Sequence, residues 1–419
     1  MTRPTHTSVQ TTELLDRSDA RYQVASGFGG AIRTFIDRVR SGDLGSLPVI
    51  VGTAIIWTVF QCINPIFLSS NNLINMLFDA STIGIISLGI VCILMVGEID
   101  LSVGSVSGLA SAIVGVLWVN HGWPVVLAIA AAVATGALIG LIYAQLFIRF
   151  GMPSFVATLA GLLAVLGGQL YILDGTGSIN LPYGSPLVSL GQSLFMPATF
   201  AYLIVALAGG VMFLTGWRTA ERRRQVGLSS ESIGHLLFRT VTPTLALELI
   251  ALYFYQDRGI PWMFGIFLSL VVGLNYLLTR TQWGRLINAV GGNREAARRA
   301  GINVRAVYTS AFVLCAMLAA CGGVLAAARL ASASQQAGTA DVNLNAIAAA
   351  VIGGTSLFGG RGSAYSALLG IIVIQSISSG LTLLDLSSSL RYMITGAVLA
   401  VAVIVDSLAR QSRVSHGRA

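Results

Sequence analysis

Three acidic side chains lie within or beside long apolar runs, and they are the residues best suited to proton or cation chemistry. Glu98 and Asp100 belong to the segment GEIDLSVGS, and Glu248 lies in the middle of VTPTLALELIALYFY. Carboxylates at such positions are costly in a membrane, and they usually carry out a function or lie near the interface. Asp100 or Ser102 could equally cap a helix that starts near Val103. The sequence leaves both interpretations open.

The other reactive side chains indicate neither an enzyme nor a metal site. The histidines lie in tails or loops and form no cluster, and the cysteines lie inside apolar runs without a CxxC pair. A catalytic or metal centre would need a convergent set of such groups. We therefore expect no catalytic and no metal-binding residues, and we expect the cysteines to behave as small buried hydrophobic residues. The residues concerned are His6, His121, His235, His416, Cys62, Cys92, Cys315 and Cys321.

The composition is that of a membrane protein. The mean hydropathy is +0.79 and only 10% of the residues are charged, whereas soluble chains have about 25%. Many apolar runs reach about 17–25 residues, the length that crosses a bilayer as a helix. The runs are continuous and do not alternate, so helices are favoured over a barrel. The predicted fold class is an all-α, polytopic membrane helical bundle.

About 12 apolar segments are candidates for membrane spans. These segments predict a transmembrane domain at 48–408, which is flanked by an N-terminal tail at 1–47 and a C-terminal tail at 409–419. The candidate spans are 48–68, 73–96, 103–119, 123–148, 155–173, 197–217, 241–256, 260–279, 307–330, 343–358, 363–384 and 391–408.

The positions of the arginines predict the orientation of the bundle. All 25 basic residues are arginine, and 22 of them fall in cytoplasmic segments if both termini are cytoplasmic. This distribution follows the positive-inside rule. The net charge of +8 therefore reflects loops rather than a nucleic-acid surface. The largest internal clusters occupy 218–240 and 280–306, which we expect to be cytoplasmic.

Two glycine-rich segments interrupt the apolar pattern. GEIDLSVGS covers residues 97–105, and GGTSLFGGRGS covers residues 353–363. Glycine breaks at membrane depth are tolerated where the backbone lines a cavity or is buried in protein. Paired interruptions in the two halves of a transporter point toward the substrate site. The small-xxx-small pairs Gly104–Gly108 and Gly136–Gly140 fit close intramolecular packing of helices.

The segment GGNREAARRAGINV, residues 291–304, encodes a short capped helix between two apolar runs. Its glycine pair ends the incoming helix, and Asn293 is a good N-cap with Ala296 at the third helical position. A glutamate in the first turn and two arginines near the end complement the helix dipole, and Gly301 stops the helix. A helix over about 294–300 is too short to be stable alone. It therefore needs a docking surface.

Taken together, GEIDLSVGS, GRLINAVGGNREAARRAGINV and AAAVIGGTSLFGGRGS resemble the permease subunits of bacterial monosaccharide ABC importers, the ribose, xylose and galactose group. The resemblance runs from about residue 48 to 408 and implies a type II importer permease. The extra length at about 210–260 resembles the D-xylose-type subgroup. Glu98 stands where many members of the family have glycine.

The resemblance implies that 280–306 is the coupling loop that docks on a separate ATP-binding subunit. It also implies an extracytoplasmic sugar-binding protein, a homodimer and a location in the bacterial inner membrane. This chain would bind no cofactor, and without lysine it has no GxxxxGK[ST] phosphate-binding motif. The residues that match the family's coupling motif or lie within it are Gly291, Gly292, Asn293, Arg294, Glu295, Ala296, Ala297, Arg298, Gly301 and Ile302.

A neutral, hydroxyl-rich sugar needs modest polar groups along its path. Polar or glycine residues at the ends and interruptions of spans are the candidates, although helix capping and interhelical hydrogen bonding are alternatives for each. Asn71 and Asn75 share one helix face at i, i+4 spacing. The candidates are Asn71, Asn72, Asn75, Glu98, Asp100, Ser102, Gln169, Asn275, Asn343, Asn345, Gly353 and Gly354.

A rival interpretation is an ion-coupled secondary transporter that uses Glu98, Asp100 and Glu248 as proton or sodium sites. The capped helix argues against this interpretation, because a secondary carrier needs no docking element for an ATPase.

Overall fold

The computed structural model describes residues 47–404 apart from 176, 229, 231, 232, 388, 392, 399 and 401–403. The predicted C-terminal tail and residues 1–46 of the predicted N-terminal tail lie outside these residues. The same is true of the last part of the predicted span 391–408. Residues 389–391 and 393–398 are helical.

Helices make up nearly all of the described structure, together with one two-stranded antiparallel sheet. The helices are α1 (Leu47–Ile63), α2 (Ser70–Met95), α3 (Val103–Gly115), α4 (Val125–Phe150), α5 (Ser154–Leu173), α6 (Pro186–Gln192), α7 (Ala198–Gln225), α8 (Ile233–Phe254), α9 (Trp262–Arg280), α10 (Gln282–Gly292), α11 (Arg294–Arg299), α12 (Val304–Leu330), α13 (Ala340–Ile352) and α14 (Ala364–Leu383), and the strands are β1 (Ser178–Asn180) and β2 (Ser332–Ser334). A π-helical turn, Val116–Asn120, extends α3.

Among the described residues, nine helical segments are long and apolar enough to cross a membrane, and α1 and α13 are shorter apolar helices. The predicted all-α membrane bundle is confirmed. The predicted span 343–358 was too long, since α13 ends at Ile352. The chain turns there because Gly354 takes a left-handed conformation with φ of +103°, which few side chains allow.

Helix α12 packs against α2, α3 and α4, and it meets two of these neighbours, α2 and α4, at their glycines. A methyl group on Gly89 of α2 would lie 2.8 Å from the Cys315 carbonyl oxygen. A methyl group on Gly136 of α4 would lie 2.7 Å from the Ala316 carbonyl oxygen. The absence of side chains at these positions lets the helix backbones touch.

An extended segment runs from α12 back along α3. Strand β2 pairs with β1, and a methyl group on Gly115 of α3 would lie 2.9 Å from the Cβ of Ala333. Further along, a methyl group on Gly104 would lie 2.9 Å from the Gly338 carbonyl oxygen. The segment therefore runs beside α3 from Gly115 to Gly104, a length of about 16 Å at about 1.5 Å per helical residue. Helix α13 begins after this segment, at Ala340.

The described chain divides into two compact units, residues 197–259 and the remainder. The smaller unit is the α7–α8 hairpin, in which the Tyr202 and Tyr255 rings lie 5.7 Å apart. The end of α7 and the start of α8 carry most of the basic segment 218–240. In the larger unit, the chain ends that flank the hairpin are joined by hydrogen bonds from Met196 N to Ile260 O (2.9 Å) and from Trp262 N to Leu194 O (3.1 Å).

The close contact between α4 and α12 generates a stability prediction. In Gly140→Ala, the added methyl group would lie 2.5 Å from the Phe312 carbonyl oxygen and 2.7 Å from the Val313 Cα. We expect the free energy of unfolding to fall by roughly 1–3 kcal/mol, as overpacking usually costs. Thermal unfolding of the purified protein in detergent measures this change.

The matched control is Gly167→Ala on α5, where a methyl group would meet nothing within 4 Å. Equal unfolding temperatures for the two variants would contradict the close approach of α4 and α12.

Candidate functional site

Helix α11 is the short helix that the sequence predicted. The Asn293 side chain caps it by accepting a hydrogen bond from Ala296 N at 2.9 Å, and it ends before Gly301, whose φ is +82°. Glu295 in the first turn forms ion pairs with Arg298 at 2.8 Å and Arg299 at 3.6 Å. The predicted cap, charge placement and stop are all confirmed.

Most of the α11 surface is open. Ala297 is the buried position and faces the bundle, with 5% of its surface exposed. The positions exposed to solvent are Gly292, Asn293, Arg294, Glu295, Ala296, Arg298, Arg299, Ala300 and Gly301, and Ile302 is half-buried. A six-residue helix is held in place by its neighbours rather than by its own hydrogen bonds. One face of α11 therefore rests on the bundle while the other is presented outward.

The glycine pair at the end of α10 has two different environments. A side chain at Gly291 would collide with the Met95 carbonyl oxygen at the end of α2 and would lie 2.7 Å from Gly360 N. The Met95 oxygen accepts a hydrogen bond from Gly360 N at 2.9 Å. At Gly292 a methyl group would meet nothing within 4 Å. Gly291 thus seats α10 on the bundle, and Gly292 faces outward.

The three glycine-containing motifs meet at this point. A methyl group on Gly359 would lie 2.7 Å from the Gly291 carbonyl oxygen and 3.0 Å from the Gly97 Cα. We call this contact region, formed by residues 95–97, 291–292 and 358–360, the glycine junction. It brings the ends of α2 and α10 against the loop between α13 and α14, and α11 follows directly after it.

Arg294 ties α11 to two long helices. Its guanidinium lies 5.5 Å from the ring centroid of Phe147 on α4 and 5.3 Å from that of Tyr308 on α12. The two rings pack edge to face at 4.8 Å. Cations over aromatic faces are attracted by the ring quadrupole. A displacement of α11 would therefore act on α4 and α12 as well as on the glycine junction.

Glu98 lies next to this contact. Burial raises the pKa of its carboxyl, while a hydrogen bond with the Ser154 side chain and the positive charge of Arg294 lower it. Burial is the largest of these effects, so the net pKa lies above the ordinary value of 4.5.

Asp100 and Ser102 form the entry to α3. Asp100 is fully buried, and its Oδ1 accepts hydrogen bonds from Ser102 N (2.8 Å) and Ser102 Oγ (2.7 Å). Helix α3 starts at Val103 as predicted, but the Ser102 side chain makes no capping hydrogen bond to it. Asp100 instead orders the turn before the helix.

Three side-chain amides donate hydrogen bonds to backbone carbonyl oxygens, namely those of Gln169, Asn343 and Asn72. Gln169 is buried, and its Nε2 donates to the carbonyl oxygens of Ser334 (3.0 Å) and Ala337 (3.0 Å) in the extended segment. Asn343 Nδ2 donates to Leu101 O at 2.6 Å. Asn72 Nδ2 donates to the Phe67 carbonyl oxygen at 2.7 Å, and its Oδ1 accepts from Ser379 Oγ at 3.0 Å. These contacts join helices and loops within the bundle.

The other path candidates lie in several places. Asn71 is exposed at the start of α2, and Asn75 donates to its Oδ1 at 3.4 Å, as their shared face predicted. Asn345 and Asn275 are half-buried on α13 and α9. Gly353 is buried against the backbone of Ser366, and Gly354 is exposed. Glu248 is half-buried on α8.

Two residues that the sequence analysis did not single out complete the Asn71–Asn75 face. Asp79 follows Asn75 by four residues, and its Oδ1 accepts from Arg329 Nε of α12 at 2.9 Å. The sequence did contain a signal, namely the four-residue spacing of Asn71, Asn75 and Asp79. The partner, 250 residues away, was beyond the reach of any local pattern.

A bundle of membrane-length helices that presents a short capped helix beside a glycine junction has the architecture of a polytopic membrane protein. Residues 72–403 match the family described as "Branched-chain amino acid transport system / permease component". The chain belongs to this family. Such a permease works with an ATP-binding subunit and a substrate-binding protein.

Curated relatives cover most of the chain. The xylose transport system permease protein XylH of Escherichia coli (strain K12) is 36% identical over 348 residues, 82% of this chain and 87% of the relative. XylH of Haemophilus influenzae is 31% identical over 376 residues, 88% and 98% of the two chains. The ribose import permease protein RbsC of Escherichia coli (strain K12) is 28% identical over 363 residues, 85% and 92% of the two chains. No solved structure matches the chain.

The environment of Glu98 generates a pH prediction. A carboxyl whose pKa is raised in the folded state binds its proton more tightly there than in the unfolded state. Stability therefore falls as the pH rises from the ordinary value of 4.5 through the raised pKa, and it stays level above. We expect Glu98→Gln to remove this fall, measured as unfolding temperature against pH in detergent.

Glu295→Gln, which changes an exposed carboxylate on α11, is the control for that measurement. A Glu98→Gln variant whose pH profile follows that of the unchanged protein would show that burial does not perturb this carboxyl.

Proposed function

We propose that this chain is the membrane permease of an ATP-driven importer for a monosaccharide, D-xylose or a similar pentose or hexose. The observation that carries the proposal is the glycine junction, which seats the capped helix α11 against the bundle and leaves its other face open. The xylose and ribose permeases among the relatives support the choice of substrate.

In the proposed mechanism, α11 is the coupling helix that docks on the ATP-binding subunit. Closure of the ATP-binding subunits displaces α11, and the displacement passes to α2 through the glycine junction and to α4 and α12 through Arg294. The bundle then changes between outward-facing and inward-facing states, which is a two-state transition biased by a local contact. ATP binds to the partner subunit, and this chain holds no cofactor.

The proposed orientation follows the arginines. The α10–α11 end of the bundle, the connection between α7 and α8 and both chain termini face the cytoplasm, so that 22 of the 25 arginines are cytoplasmic. The chain spans the bacterial inner membrane many times. The start of α2 and the end of α12 lie at the external side, where an extracytoplasmic binding protein delivers the sugar. Two copies of the chain form the pore as a homodimer.

The proposal predicts the energy source and the substrate of transport. Proteoliposomes would contain this chain, its ATP-binding subunit and its binding protein, with radiolabelled D-xylose or D-ribose outside. We expect uptake that requires ATP on the side of the ATP-binding subunit and persists when ionophores collapse ion gradients. Uptake by the chain alone, driven by an ion gradient and abolished by ionophores, would refute the proposal in favour of ion coupling through Glu98, Asp100 and Glu248.

The two glycines of α10 test the coupling assignment. In Gly291→Ala the methyl group collides with the Met95 carbonyl oxygen, so α10 and α11 are displaced from their seat. We expect ATP-driven uptake to fall strongly, because the coupling helix no longer rests on the end of α2, while the amount of protein in the membrane stays normal. Gly292→Ala, with open space around the added methyl group, should transport nearly normally. Similar uptake by the two variants would remove the glycine junction from the coupling path.

A further inference from the structure

The first half of α2 has one open face, and that face is polar. Neighbouring apolar side chains on this helix, such as Ile74, Leu77 and Phe78, are buried. Asn71 is exposed, and Asn75 and Asp79 are half-buried. The three polar residues are spaced four apart, so they form a single row along the helix surface. A row of this kind in a membrane-length helix faces either a protein interior or water.

Arg329 of α12 closes the row from the side. Its Nε donates to Asp79 Oδ1 at 2.9 Å, and its Nη2 donates to Asn75 Oδ1 at 3.3 Å. The guanidinium also lies 4.8 Å from the ring centroid of Phe78. These contacts fix the guanidinium plane. We call Asn71, Asn75, Asp79 and Arg329 the polar row.

The side chains of the polar row remain partly exposed although they interact with one another. The side chain of Asp79 is 46% exposed and that of Arg329 is 22% exposed. The ion pair is therefore only partly covered by its neighbours. Here a carboxylate, a guanidinium and two amides remain accessible along a surface roughly two helical turns long.

The chemistry of the row matches a neutral, hydroxyl-rich ligand. Asp79 supplies acceptors, Arg329 supplies donors and each asparagine supplies both. A sugar hydroxyl donates one hydrogen bond and accepts others, so it needs partners of both kinds. The charges of Asp79 and Arg329 cancel, and the row therefore offers no net attraction to a free anion or cation. We infer that the polar row is a binding site for a monosaccharide on its way through the permease.

This inference rests on the proposed function, and it places the sugar at the end of the bundle opposite α11. Asn71 lies in the first turn of α2, whose last residue, Met95, belongs to the glycine junction. The partner helix α12 carries Tyr308, which contacts Arg294 of α11. Both helices that hold the polar row are therefore among those that α11 reaches at the other end. A shift between α2 and α12 changes the distance between Asp79 and Arg329 and so loosens the site.

The experiment measures sugar binding to the permease without its binding protein. The full chain is placed in lipid nanodiscs, and saturation-transfer-difference NMR is recorded with millimolar D-xylose. We expect saturation transfer to the sugar from the unchanged protein. Absence of any transfer would overturn the inference.

Two variants remove the polar row while keeping its volume. Asp79→Leu combined with Arg329→Met replaces the ion pair by apolar side chains, a change that is often tolerated by stability. Asn75→Leu alters the row without touching either charge. We expect each variant to bind D-xylose at least tenfold more weakly, because one lost hydrogen bond to a charged or fixed partner is worth about a factor of ten. Their unfolding temperatures confirm that they fold.

The matched control applies the same replacements, Asp257→Leu with Arg258→Met, to another ion pair, whose atoms lie 3.9 Å apart. Sugar binding in this control should equal that of the unchanged protein. Unchanged binding in both row variants, or an equal loss in the control, would overturn the inference. ATP-driven uptake is measured on the same proteins with all partners present. Uptake with unaltered binding in the row variants refutes the site alone, whereas the absence of uptake for every sugar refutes the proposed function.

Discussion

The bundle depends on the ability of α12 to approach its neighbours backbone to backbone. Inside a membrane, burial against another helix gains little over contact with lipid, so helix association relies on close packing and on small residues at the crossings. Gly89 and Gly136 provide this closeness against the carbonyl oxygens of Cys315 and Ala316. Because α12 is fixed in this way, both the contact of Tyr308 with Arg294 and the position of Arg329 are fixed with it.

The second constraint is the need to satisfy backbone groups that no helix satisfies. Part of the segment between α12 and α13 is extended, and unpaired carbonyl oxygens inside a membrane bundle would be costly. Strand β1 pairs with part of the segment, and Gln169 covers the oxygens of Ser334 and Ala337. A single buried amide on α5 thus satisfies two carbonyl oxygens of the segment that leads into α13.

Local rules explain which features could be predicted from the sequence. The cap at Asn293, the stop at Gly301 and the start of α3 at Val103 each depend on a few consecutive residues, and all were predicted correctly. The helical bundle followed from composition, because span length and apolar character are properties of the segment itself.

Features that join distant parts of the chain were not accessible in this way. No local pattern distinguishes Gly291, which touches the end of α2, from Gly292, which faces outward. The sequence suggested Gln169 as a path residue, and nothing near it in the chain indicates that its amide holds an extended segment about 165 residues away. The pairing of Arg329 with Asp79 could not be predicted for the same reason, since the two residues lie 250 positions apart in the chain.

The hydrogen bonds that join the chain ends beside the α7–α8 hairpin have a consequence for the evolution of the fold. Residues 194–196 and 260–262 are already joined to each other by backbone hydrogen bonds. The hairpin between them can therefore be deleted or inserted with only a short new connection. The orientation of all later helices is preserved, because two membrane-length helices are added or removed together and the chain returns to the side of the membrane that it left. This hydrogen-bonded connection allows the number of helices to change without altering the contacts of α12.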